Sequence, residues 1–327
     1  MRTNRFLAVE LGASHHALFL VAHFPARMAY GLAPIFGELQ YQLEPARRKM
    51  ILDCLELALG ERLTPKGRIR AAHDLFRLEA CKDADLVRLA GDGRALVKLV
   101  NIRGLEHLQH SLALGKGAVV GSAHFGSWES ELGLLGALGF PVTPVLYFWP
   151  GRQLSAAQML VKPGKLNRII LRKILHHHVR PSIDFDESSR SDVAPQAARV
   201  LAQNEIVFIM MDVVGFPSRH PHTVPFPFLN GLARMPTGAV RIAKSSGASL
   251  LMCFTHRAPD WRHQVIEISA PIPTEGDTDE INRHCVRMIE NAIRREPDHW
   301  EQWDYKTMLK LGLISEEELQ QTGMTKS

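Results

Sequence analysis

The segment Gly121-Ser-Ala-His124-Phe-Gly126-Ser127-Trp128-Glu129 places a carboxylate five positions after a histidine. Imidazole titrates near neutral pH, so a His suits removal of a proton from a hydroxyl as that hydroxyl attacks an acyl carbonyl. A carboxylate bonded to the other ring nitrogen fixes the tautomer and stabilises the imidazolium as it forms. Spacing alone decides nothing. With 16 His and 34 acids in 327 residues, about one or two such pairs arise by chance. Two are present, His124/Glu129 and His299/Asp304.

Context separates them. His124 follows Ala118–Ala123 (AVVGSA), a short apolar run that reads as a buried strand, and it precedes an expected helix across a Gly-punctuated turn. In an open α/β sheet the carboxyl ends of the strands are where ligands bind. Helix N-terminal amides at such a turn suit a developing oxyanion. His299 lies in the Trp-rich tail PDHWEQWDY with no strand before it.

Other residues that could do chemistry are less persuasive. His176-His177-His178 on a helix point in different directions and cannot share one ion. His220 and His222 lack a supporting HExxH pattern. No G-x-S-x-G elbow, P-loop or G-x-G-x-x-G is present, which counts against a serine lipase and against nucleotide-driven chemistry. Cys54, Cys81, Cys253 and Cys285 are far apart with no CxxC, which argues against a thiolate zinc site and a disulfide framework and fits a reducing compartment. No metal or cofactor is expected.

The elements that must position His124 can be read around it. Composition is that of a globular protein: 46% hydrophobic, 22% charged, net charge +5. The mild positive balance favours an anionic partner without choosing one. Between Gly151 and Arg190 eight Lys/Arg face three acids, yet no nucleic-acid-binding pattern accompanies them. The N-terminus carries no secretory signal, so the chain is expected to stay in the cytoplasm.

Residues 1–95 read as a helical, membrane-apposed zone. Leu11 to Phe36 is apolar but broken by Pro25, Arg27 and Pro34, short of the roughly 20 residues a spanning helix needs. Such a segment can lie in the interface plane or form a buried helical hairpin. Glu44–Leu59 and Pro65–Ala90 are patterned as amphipathic helices, with Gly60 and Thr64-Pro65 as stop and start signals. Residues 96–310 read as an α/β unit, and 311–327 as a tail. Apolar strands at Ala118–Ala123, Ile206–Met211 and Ser249–Thr255 alternate with helices at Ala194–Gln203 and Thr237–Ser246, which implies a mostly parallel sheet flanked by helices. His263–Ser269 alternates and is expected near an edge, and Glu280–Arg295 is a helix.

Leu114-Gly-Lys-Gly-Ala-Val-Val-Gly-Ser-Ala-His124-Phe-Gly-Ser-Trp-Glu129 resembles the HX4(D/E) block of the lysophospholipid acyltransferase superfamily, most of all its bacterial lipid A late acyltransferase branch. Later pieces fall in that branch's order. Phe208-Ile-Met-Met-Asp212 is similar to its strand-then-Asp block, Val224 to Ala239 (VPFPFLNGLARMPTGA) to its VPFFG…P-x-G block, and Glu296 to Trp303 (EPDHWEQW) to its closing segment.

The resemblance implies a glycerolipid acyltransferase-like fold in which His124 is the base and Glu129 its orienting partner, leaving His299/Asp304 as a decoy. It implies that Gly126, Ser127, Asp212 and Arg234 lie at the substrate and that Arg168, Arg172 and Arg190 hold phosphate on acceptor or carrier. Asp212 can assist the site or simply cap a turn. Ser127 stands where the family more often has Asn. The implied reaction moves a fatty acyl group from an acyl carrier protein or coenzyme A thioester to a lipid hydroxyl, at the cytoplasmic face of the inner membrane. Two other readings remain open: a lipid-binding protein that has lost turnover, and a lipid thioester hydrolase.

Overall fold

The structure, a computed structural model, describes residues 24–90, 94–147, 179–185, 192–214 and 223–321. Among these residues a seven-stranded sheet is built from β1 (Val100–Arg103), β2 (Ala118–Ser122), β3 (Val142–Tyr147), β4 (Ile183–Phe185), β5 (Ile206–Met210), β8 (Ser249–Arg257) and β9 (Gln264–Ile268), in the order β1-β9-β8-β2-β5-β3-β4. Strands β8, β2, β5, β3 and β4 run parallel, while β9 pairs antiparallel with β8 and carries β1 beside it. The expected mostly parallel α/β sheet with a helical N-terminal extension is what the chain adopts.

The sheet's centre follows from composition. Every residue of β2 is buried, as its unbroken apolar run requires of a strand covered on both faces. Val119 and Val207 belong to one apolar cluster, Val120 and Phe208 to the cluster on the other side. The alternation of side chains along β2 thus feeds both halves of the core.

The helices that matter for the site come from both ends of the chain. The N-terminal zone contributes α1 (Ala26–Leu43), α2 (Pro45–Leu59) and α3 (Pro65–Ala90). Thr64 caps α3, its Oγ1 accepting from the Gly67 amide at 3.1 Å, and Pro65 occupies the first turn, where its missing N–H costs nothing. Helix α1 starts directly after Pro25 but runs through Arg27 and Pro34. Two of the three expected breaks are therefore absent, because packing of Ala29, Tyr30, Ala33 and Gly37 against the protein outweighs the one lost backbone bond. A Cβ at Gly37 would collide with the backbone of Phe76 and Arg77, so this glycine sets how closely α1 approaches α3.

Several elements were not foreseen. Strands β1, β3 and β4 are short and partly polar, and β9 lies one strand in from the edge because β1 covers it. Thr223–Phe228 and Gly231–Pro236, legible only as a motif, form the two-stranded antiparallel hairpin β6–β7. The helix expected at Glu280–Arg295 begins at Thr278, where Asp277 accepts from the Asp279 and Glu280 amides.

Candidate active site at the carboxyl end of the sheet

Parallel register brings together two residues 88 positions apart. Ser122, the last residue of β2, pairs with Met210, the last of β5, and the Met211 amide donates to the Ser122 carbonyl at 2.8 Å. Each strand then runs two residues further in the same direction, to His124 and to Asp212. There the His124 ring Nδ1 stands 2.8 Å from Asp212 Oδ1, and the His124 amide donates to Asp212 Oδ2 at 2.8 Å.

Asp212 is fully buried, and donors converge on it. Besides the two from His124, Trp300 Nε1 donates to Oδ2 at 2.9 Å and Gln302 Nε2 to the same oxygen at 3.0 Å. Burial alone would push this carboxyl up. The His124 charge and side-chain bond, with the Trp300 and His124 backbone bonds, outweigh it and hold the acid below its ordinary value. Asp212 is thus an ionised acceptor. The second hydrogen of the Gln302 amide is directed to the Asp212 carbonyl at 3.1 Å, so the 3.1 Å approach of Gln302 Nε2 to His124 Nδ1 is a contact between two donors. Nδ1 carries the ring proton and gives it to Asp212. In the neutral ring Nε2 then has the lone pair, and it makes no hydrogen bond among the described residues. Burial of the ring lowers its affinity for a proton, but the Asp212 charge, the Asp212 bond and the charge of Glu129 outweigh that, against a small opposing effect of Lys82, and the ring titrates above its ordinary value.

Glu129 does not hold the ring. Its carboxylate, on the first turn of α4 (Trp128–Ala137), pairs instead with Lys82 of α3 at 3.2 Å, and Lys82 also pairs with Glu301. The expectation that Glu129 orients His124 through a hydrogen bond is replaced by a long-range charge effect. Its cause is the turn itself: Gly126 takes a left-handed conformation (φ 61°), and it is Trp128 that packs edge-on to the imidazole at 5.4 Å. A Cβ at Gly126 would overlap the Thr255 carbonyl oxygen, so only glycine lets the loop press against β8.

Ser127 is buried and faces away from the ring, toward a charge pair that sequence reading missed. Its Oγ donates to Asp85 Oδ2 at 2.9 Å and accepts from Arg257 Nη2 at 2.8 Å. Arg257, at the end of β8, forms a buried salt bridge with Asp85 of α3, and Tyr30 of α1 donates to Asp85 Oδ1 at 2.6 Å. One buried network therefore ties α1 and α3 to the loop that follows His124.

The tail supports the loop from below. Phe125 and Trp300 form a β-bridge, Gly126 donates to the His299 carbonyl at 2.6 Å, and Glu301 donates to the His124 carbonyl at 3.0 Å. His299 accepts from the Arg257 amide through Nε2 and stacks on Phe125, while Asp304 caps the helix Tyr305–Lys310, so these two do separate structural jobs. Arg234 stands exposed on the β6–β7 hairpin and makes no hydrogen bond or ion pair with the groups around His124. Arg168, Arg172, Arg190 and the His176 and His220 clusters lie outside the described residues. Among the described residues no three His, Cys, Asp or Glu come together as metal ligands. The four cysteines are buried and unpaired.

Lys82, Asp85, Arg257, Gln302 and Glu301 were not found from sequence. Only the tail carried a signal, as the closing Trp-rich segment, and that signal gave no roles.

An α/β sheet with an ionised Asp and a His of fixed tautomer at its carboxyl end defines a class of enzyme sites that activate a hydroxyl or water against a carbonyl. The family model described as bacterial lipid A biosynthesis acyltransferase matches residues 161–304, a segment that contains Asp212, Trp300 and Gln302 but begins after His124. The match supports a lipid A acyltransferase-like member of the acyltransferase superfamily and, in general terms, a lipid A-type acyltransferase role. No curated protein matches the chain.

Proposed function

We propose that the protein transfers a fatty acyl group from an acyl carrier protein or coenzyme A thioester to a hydroxyl of a lipid, with no acyl-enzyme intermediate. The observation that carries this reading is the 2.8 Å bond of His124 Nδ1 to a buried, ionised Asp212, which fixes the tautomer so that the neutral ring has its lone pair on Nε2. Nε2 takes the acceptor's proton as its oxygen attacks the thioester carbonyl. The resulting imidazolium is stabilised by Asp212, and the collapsing adduct expels the thiolate, which leaves with that proton. The Trp128 and Glu129 amides at the start of α4 make no backbone hydrogen bond among the described residues, unlike Ser130 and Glu131, which donate to the Ser127 carbonyl, and they suit the oxyanion. Glu129, paired with Lys82, contributes through its charge.

Work at a membrane surface is supported by α1. Met28, Ile35 and Leu39 recur at helical spacing along it and are 51%, 63% and 47% exposed, and Phe24, just before the helix, is 43% exposed. An apolar stripe of this kind suits the headgroup–acyl boundary. No helix among the described residues is long and apolar enough to cross a membrane. We place the protein at the cytoplasmic face of the inner membrane.

Lipid mass spectrometry of a host expressing the wild-type chain beside His124→Ala tests the reading. A lipid heavier by one acyl unit, made only with wild type, is the expected result. Free acid in place of an acylated lipid would favour the hydrolase. Identical lipids in both strains, with the protein folded and membrane-bound, would favour the binding protein.

A further inference from the structure

Ser127 opens α4 as its N-cap, directly before Trp128, whose ring packs on the His124 imidazole. Serine is a preferred N-cap because its hydroxyl accepts from a first-turn amide. Here it does not. The residue stands at φ −88° and ψ 62°, and its side chain makes no bond to the helix. Two other N-caps of the chain behave in the ordinary way. Asp277 (ψ 132°) accepts from the Asp279 and Glu280 amides, and Asp304 (ψ 157°) accepts from the Thr307 amide.

The buried charge pair is what holds the hydroxyl away. Ser127 Oγ donates to Asp85 Oδ2 at 2.9 Å and accepts from Arg257 Nη2 at 2.8 Å. Both bonds are charge-assisted, and such bonds are roughly twice as strong as neutral ones, so the two together outweigh one neutral cap. All three residues are buried. Arg257 is fixed in turn by the Trp261 carbonyl, to which Nη1 donates at 3.3 Å, and Asp85 by the Tyr30 hydroxyl at 2.6 Å. The Ser130 amide is already bonded to the Ser127 carbonyl at 2.8 Å, whereas the Glu129 amide, second in the helix, has no partner among the described residues. That amide is the one a capping Ser127 would take.

We propose that Arg257 and Asp85 are positioning residues for the transfer reaction: by holding the Ser127 hydroxyl they keep it off the Glu129 amide, which stays open to the oxyanion. The inference rests on the transfer reading above and deepens it. As the acceptor oxygen bonds to the thioester carbon, the carbonyl π pair moves onto the carbonyl oxygen. The Trp128 and Glu129 amides donate to that oxygen, and the pair returns as the carbon–sulfur bond breaks. Ser127 thus matters through the bond its side chain is prevented from making.

Asp85→Leu with Arg257→Met removes both anchors without leaving a lone buried charge. Ser127 is then free to cap, and kcat should fall about 10²-fold, the cost of one lost oxyanion donor, with both KM values within about threefold. Adding Ser127→Ala removes the competing hydroxyl and should restore kcat by about tenfold or more. A purely structural role for the pair gives the opposite result, because a third core replacement adds damage. Ser127→Ala alone cannot cap, so it should lose less than the paired variant. Arg257→Lys keeps a charge opposite Asp85 but gives up the planar fork. It should fall by less and be restored by the same serine change, even if the paired variant melts too early to assay. Hydrogen–deuterium exchange of the full-length protein in detergent, read by mass spectrometry on the peptide spanning Trp128 and Glu129, follows the amide without turnover. Exchange should slow about fivefold in the paired variant, the equivalent of one cap, and recover with Ser127→Ala. The proposal is overturned if the folded paired variant keeps wild-type kcat, if Ser127→Ala restores kcat in neither background, or if exchange of that peptide is unchanged. Exchange that slows and recovers in a protein whose wild type transfers no acyl group would sink the transfer reading while leaving the restraint on Ser127 intact.

Discussion

Asp212→Asn removes one charge and exchanges one oxygen for an NH2, and its consequence can be worked from the bonds. Three N–H groups meet at Oδ2 and one at Oδ1. The amide oxygen of an Asn must face the three donors, since an NH2 there would meet all of them. Its NH2 then faces His124 Nδ1, which can no longer donate and must accept. The ring proton moves to Nε2, the lone pair needed there is gone, and the base is disabled. A drop in kcat of about 10³ to 10⁴ is expected, with a stability loss of about 1–3 kcal/mol from the mismatched buried group. The charges and bonds that raise the His124 pKa come first from Asp212, after the opposing effect of burial. In wild type, kcat/KM should therefore rise with pH through a value above the ordinary imidazole range, since the base form exists only above the raised pKa. In Asp212→Asn the residual activity should show that limb moved to lower pH. Glu129→Gln, which removes only a distant charge, should cost less than about tenfold and also move the limb down. Thiol release from an acyl thioester, followed across pH, reads all of this, and NMR titration of the His124 ring checks the shift independently. If Glu129→Gln costs 10³ or more while Asp212→Asn stays near wild type, the carboxylates have been assigned the wrong roles.

Other expectations follow from the buried charges and the turn. Arg257→Met leaves Asp85 in the core without its counter-charge, with only the Tyr30 and Ser127 hydroxyls bonded to it, and should cost about 3–5 kcal/mol, while Asp85→Leu with Arg257→Met should recover much of that loss in chemical denaturation. Gly126→Ala should lose both stability and activity, by more than about 2 kcal/mol in unfolding free energy, because positive φ and the Thr255 carbonyl both oppose a Cβ; near-wild-type melting would show that the loop can move. Glu131 is fully buried, and burial holds its carboxyl well above the usual range despite bonds from Ser122 and Thr255. The folded protein then binds a proton that the unfolded chain has released, so this residue's contribution falls as pH rises from the ordinary Glu value toward the raised one. Glu131→Gln should flatten that slope in denaturation series run from acid to neutral pH, and an unchanged slope would mean the acid is ionised in the fold.

Much of the framework was legible in residue order. Thr64-Pro65 and Gly60 marked helix ends because capping and missing donors act locally, and α3 matches its expected span from Pro65 to Ala90. The apolar runs at Ala118 and Ile206 declared strands buried on both faces, and a buried strand followed by a Gly-punctuated turn marked His124 as the candidate base. Strands that are short or half polar, such as β1 and β4, gave no comparable signal. Pro34 misled, since the packing of α1 against α3 is a long-range term that outweighs a local penalty.

The partner of His124 was decided elsewhere. Counting along the chain favours Glu129, five residues away, but the left-handed turn at Gly126 sends that side chain to Lys82 of another helix. Parallel pairing of Ser122 with Met210 instead delivers Asp212, and the tail adds Trp300 and Gln302 to hold it. The sequence by itself determined the sheet and the helices and singled out His124 as the candidate base, because each is written in contiguous residues. Which carboxylate faces the ring, and which charges hold the Ser127 hydroxyl, depended on contacts among segments as much as 178 residues apart, which only the tertiary structure brings within reach of one another.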